Sequence, residues 1–132
     1  MLKSLTIENY ALIDSLHTGW DGHLNIITGE TGAGKSILLG ALGLLLGAKN
    51  EGQATKDLDH NCVVEATFDI RGYNLESFFE DNDLDYEEEI TIRRIITPAG
   101  KSRAFIAQLQ RRGRHCIQHR ASRQCIFRQC TD

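Results

Sequence analysis

The octapeptide Gly29-Glu30-Thr31-Gly32-Ala33-Gly34-Lys35-Ser36 constrains this chain more than any other feature, because it fits G-x-x-x-x-G-K-[ST] at every fixed position. Each fixed residue answers a chemical need. The glycines let the backbone curl so that successive N–H groups point inward at phosphate oxygens. Lys35 brings positive charge to the β- and γ-phosphates, and the Ser36 hydroxyl can complete the coordination of Mg²⁺. A helix that starts at the loop adds its N-terminal donors and dipole. The implied ligands are ATP or GTP with Mg²⁺, held by Gly29, Glu30, Thr31, Gly32, Ala33, Gly34, Lys35 and Ser36. Glu30 is an acid inside an anion site, so its side chain is expected to turn outward.

The flanks suit the motif. Leu24–Thr28 is a short apolar run, expected to be a buried, central parallel strand. Ser36–Leu46 reads as a helix, apolar nearly all round and therefore expected to be buried. The chain opens with an alternating segment over Leu2–Ile7, a turn at Asn9-Tyr10 and a second strand over Ala11–Leu16 paired back on the first. Gly47–Asn61 is polar and irregular. Cys62–Ile70 alternates as a half-buried strand should. Asn74 is a candidate N-cap for a helix through Phe79, with Glu76 in its first turn. Acids fill Asp81–Glu89. A hairpin of Glu89–Thr97 and Lys101–Ile106 turns at Pro98-Ala99-Gly100.

Charge divides the chain. Residues 1–106 hold 9 Lys/Arg and 17 Asp/Glu, a net −8, whereas residues 107–132 hold six arginines and one aspartate, a net +5. The first part reads as one small domain. The second is rich in Arg, Gln, Cys and His and has no clean period. Its composition favours a translated out-of-frame stretch over a disordered basic tail. His115, Cys116, His119, Cys125 and Cys130 fall within it, but their spacing matches no recognised zinc pattern. The longest apolar stretch, Ile37–Ala48, is too short to span a bilayer. No signal peptide is evident, and the four cysteines fit a reducing, cytoplasmic setting.

Leu5-Thr6-Ile7-Glu8-Asn9-Tyr10-Ala11-Leu12-Ile13, the run from Leu24 through Ser36, and Lys101-Ser102-Arg103-Ala104-Phe105-Ile106 together resemble the RecN family of bacterial DNA-repair proteins. The resemblance covers roughly residues 1–106. It implies an α/β fold: the N-terminal part of an ABC/SMC-type P-loop ATPase head, a mixed sheet with a P-loop helix, truncated. It also implies ATP and Mg²⁺ as cofactors, DNA as a partner, a head-to-head homodimer, and a cytoplasmic, nucleoid-associated location with no membrane contact. Action in recombinational repair of DNA double-strand breaks follows from the same resemblance.

By that resemblance only Gly29–Ser36 take a role. A complete head also needs a Q-loop glutamine, a signature motif, a Walker B Asp–Glu pair and a switch histidine. None is found here, so no catalytic residue is assigned and the chain alone is expected to be inactive. Two other readings stay open: the ATPase of another ABC-type machine such as a transporter, and a truncated product that binds nucleotide weakly or not at all. Two weaker signals stand beside these. Trp20, flanked by His17 and His23, suits adenine stacking or ordinary packing. Arg93, Arg94, Lys101 and Arg103 suit phosphate contacts with DNA or simple balancing of nearby acids.

Overall fold

The computed structural model describes residues 1–29, 34–49 and 55–108, with side chains to residue 106. Five strands form one sheet: β1 (Leu2–Tyr10), β2 (Ile13–Gly19), β3 (Cys62–Asp69), β4 (Glu89–Ile96) and β5 (Ser102–Gln108). Their order is β2-β1-β3-β4-β5, and every pairing is antiparallel. Helix α1 (Gly34–Leu45) lies against β3 and β4, and a short helix α2 (Glu76–Asp81) precedes β4.

Period-2 alternation explains the layering. Leu5 and Ile7 of β1, Cys62, Val64 and Ala66 of β3, and Ile90, Ile92 and Ile96 of β4 are all buried. The register aligns them, with Ile7 opposite Val64, Ala66 opposite Ile92, and Cys62 opposite Ile96. The reverse face is polar: Thr6 meets Glu65, Glu65 meets Arg93, and the Thr67 and Thr91 hydroxyls lie 2.9 Å apart. This one-sided burial is the normal condition of an antiparallel sheet covered by a helix on one face. Phe79 of α2 closes one region of the core, packing edge-on against Phe78 and Tyr86.

Several expectations are corrected. Leu24–Thr28 joins no strand, and Leu24 and Ile26 are 78% and 75% exposed. A central parallel strand needs a partner on each side, and the described residues supply neither. α1 is buried on one side only, through Ala41, Leu44 and Leu45, while Leu39 on its outer face is 68% exposed. The first turn falls at Ala11-Leu12 rather than Asn9-Tyr10, because both of those residues belong to β1. Leu75, not Asn74, is the N-cap of α2 and makes no side-chain cap bond. Asn74 instead adopts φ 54, a left-handed conformation that asparagine tolerates. β5 also runs two residues past Ile106, to Gln108.

The β1 end of the hairpin is tied to two other segments. Asn9, at φ 52, donates from Nδ2 to the carbonyls of Asp57 and His60 and accepts from the Asp57 amide at 2.7 Å. Tyr10 reaches the middle of α1. A Cβ added at Gly40 would sit 2.6 Å from the Tyr10 hydroxyl oxygen but 3.7 Å from the ring carbon bearing it. Gly40→Ala therefore gains about 1 kcal/mol of helix propensity and loses roughly 1–3 kcal/mol to overpacking. Gly40→Ala is expected to lower the thermal midpoint of the parent and to raise that of Tyr10→Phe, where the clashing oxygen is gone. Equal shifts in both backgrounds would contradict this contact.

Candidate nucleotide-phosphate site

α1 begins at Gly34, so Lys35 and Ser36 occupy its first turn, and no acidic residue accompanies them. The helix end thus presents its N-terminal N–H groups and partial positive charge with no carboxylate of its own first turn beside them. Lys35 donates from Nζ to the Gly29 carbonyl at 3.1 Å. The ammonium therefore bridges the first and penultimate residues of the motif. Lys35 is half-buried, whereas Ser36 is exposed. No described atom lies within 4 Å of the Cβ position of Gly29 or Gly34. The Lys35 ammonium, the Ser36 hydroxyl and a helix first turn without an acid are groups of the kind that suit a magnesium–nucleotide phosphate. Glu30, Thr31, Gly32 and Ala33 lie outside the described residues, and so does the outward turn expected of Glu30.

The far end of α1 is also defined. The Ala48 amide donates to the Gly43 carbonyl and the Gly47 amide to that of Leu44, with Gly47 at φ 93. This is the paired-bond glycine cap common at helix C-termini. Arg94 of β4 adds donors from the sheet: Nη1 donates to the carbonyls of Leu44 and Ala48, and Nε to Ser102 Oγ at 2.8 Å. Neither Arg94 nor the Tyr10–Gly40 contact was singled out as site support from the sequence. The signals were a glycine in a helix interior and an arginine in the inward register of an otherwise aliphatic strand face.

The four basic residues of the hairpin do not all share one face: Arg103, opposite Ile95, lies on the face of Arg93, and Arg94 on the other. Adjacent residues of a strand face opposite ways. Arg93 lies on the polar face and pairs with Glu65 at 2.5 Å, while Arg94 turns toward α1. Balancing of nearby acids thus accounts for Arg93. Trp20 packs against the core, and its indole nitrogen is buried without a partner among the described residues. His17 binds the Thr6 hydroxyl through Nδ1 at 2.8 Å. Cys62 is a free, buried thiol, and burial pushes its pKa up to about 11, which keeps it protonated and unreactive at neutral pH. Among the described residues no cluster of His, Cys, Asp or Glu is arranged to hold a metal ion, and no helix is long and apolar enough to cross a membrane. The tail histidines and cysteines lie outside the described residues.

Comparison with known proteins adds a family. A model of the AAA domain matches residues 4–124. DNA repair protein RecN of Vibrio cholerae is 43% identical over 107 residues, covering 80% of this chain and 19% of that protein. RecN of Haemophilus influenzae is 39% identical over 110 residues, covering 80% and 20%. The chain thus spans about one fifth of the length of the curated relatives it matches. A solved chain, from work on ATP-driven dimerization and DNA-stimulated activation of SMC ATPases, superposes with a TM-score of 0.57 at 19% identity. It covers 89% of this chain and 72% of that one. At that identity the likeness speaks for the fold alone.

Proposed function

The chain belongs to the AAA domain family and carries a RecN-like sequence, and on that premise we propose that it is the ATP-binding part of a protein acting in recombinational repair of DNA double-strand breaks. One observation carries the nucleotide part of this reading: Lys35, in a first turn of α1 that holds no acid, donates to the Gly29 carbonyl at the start of the motif. In this reading Gly29 to Ser36 cradle the phosphates, Lys35 neutralises their charge, and Ser36 helps hold Mg²⁺. The Ser36 hydroxyl would help hold the metal, which when bound would supply positive charge against the phosphates. The chain's own part is to position the phosphates against the helix end.

The exposed Leu24, Ile26 and Leu39 belong to the same proposal. In a protein of the relatives' length, further sequence would cover them and pair with residues 24–28. DNA would be the partner of that longer protein, with two heads meeting around nucleotide. Survival after ionising radiation tests the reading. Cells whose gene for the protein containing this segment carries Lys35→Ala are expected to survive no better than cells lacking the gene. Survival equal to the parent would overturn it.

A further inference from the structure

An arginine is out of place on the inner face of β4. Its neighbours in register on that face are Ile90, Ile92 and Ile96, all buried. A charged group in such a row is unfavourable unless its donors are satisfied. Arg94 satisfies them on α1: Nη1 donates to the Leu44 and Ala48 carbonyls, while Ser102 of β5 holds Nε at 2.8 Å. The planar guanidinium is thereby held from two elements at once. Leu44 already accepts from the Gly47 amide in the C-terminal cap, so the arginine supplies a further donor where the helix carries its negative partial charge. α1 has no basic residue of its own in its last turn.

We propose that Arg94 is a positioning residue for the phosphate loop: it anchors the C-terminal end of α1 to the sheet and so sets where the helix N-terminus, with Lys35 and Ser36, points. The inference rests on the nucleotide reading above. Leverage makes the anchor matter. Twelve residues at 1.5 Å each give a rod of about 18 Å, so a pivot of roughly 10° at one end displaces the other by about 3 Å. Hydrogen bonds to phosphate do not survive that displacement. The apolar contacts of Ala41, Leu44 and Leu45 are non-directional and leave such rocking open. A directional grip at the helix end does not.

The test compares the 132-residue parent with Arg94→Met, Arg94→Lys and Lys35→Ala. MgATP affinity is measured by calorimetry, folding by far-UV circular dichroism, and exchange of the Gly34–Leu45 amides by mass spectrometry without nucleotide. Arg94→Met, which keeps the apolar stem, should remain folded and bind MgATP roughly tenfold more weakly, with Arg94→Lys between it and the parent. Exchange along α1 should quicken in Arg94→Met while β3 and β4 hold. A folded Arg94→Met that binds like the parent would overturn the proposal. So would a lysine variant no better than the methionine one, or loss of fold in both, because the arginine would then hold the sheet rather than aim the helix. If the parent and Lys35→Ala bind MgATP alike, the nucleotide reading is what fails. The anchoring claim then stands or falls on the α1 exchange alone.

Discussion

ATP hydrolysis by this 132-residue chain is expected to be indistinguishable from that of its Lys35→Ala variant at any protein concentration. Holding phosphates is only part of the chemistry. Turnover also needs a group that orients the attacking water and others that stabilise the charge developing on the transferred phosphoryl. No apolar run in the 132 residues ends in an Asp–Glu pair. Two of the acids leading into β4 have other work. Glu89 pairs with Lys3, and Glu88 lies 3.9 Å from Arg71, which also grips Asp69. Those pairs serve the sheet: Arg71 holds the Asp69 carboxyl well below the usual carboxylate range. Phosphate release followed over time, parent against variant, checks the expectation. A steady rate that vanishes with Lys35→Ala would show that Glu30 or an acid of 81–89 supplies the missing base.

How much of this was legible in the sequence depends on whether the determining contacts are local. The helix after the phosphate motif was legible because what starts it is local to the motif's Gly34-Lys35-Ser36 and the apolar run that follows. β3 and β4 were legible because one face of each is buried, which imprints a period of two on Cys62, Val64 and Ala66 and on Ile90, Ile92 and Ile96, and β5 because the turn at Pro98-Ala99-Gly100 marks a hairpin. Leu24–Thr28 was misread because an apolar run reports a need for burial and not the presence of a partner strand. α1 was misread for the same reason: its all-round apolarity describes more contacts than β3 and β4 provide. Asn74 failed as a cap because a left-handed backbone is an alternative use of the same side chain.

The supports of the site were the least legible. Gly40 is explained by Tyr10, thirty residues earlier, and Arg94 by carbonyls some fifty residues earlier. Yet the segments that carried the family resemblance hold three of these groups. Asn9 and Tyr10 join the hairpin to residues 57–60 and to α1, and Ser102 holds Arg94. Those stretches were recognisable from pattern, but their work in positioning the helix became visible only with the fold.

Lys35→Ala is expected to abolish most nucleotide affinity while leaving the fold intact. Among the described residues of the nucleotide-free chain the substitution removes one 3.1 Å bond, to the Gly29 carbonyl at the surface. With nucleotide it removes a cation from two phosphates. At roughly 1.5–3 kcal/mol for each hydrogen bond between charged groups, affinity falls by about a hundredfold or more. No other lysine or arginine lies between Met1 and Lys49 except Lys3, which is engaged with Glu89. The central claim is therefore tested most directly by calorimetric titration of MgATP into the parent and Lys35→Ala side by side. Saturable one-to-one binding by the parent, lost in the variant, is the predicted result, and equal affinity in the two chains would contradict it.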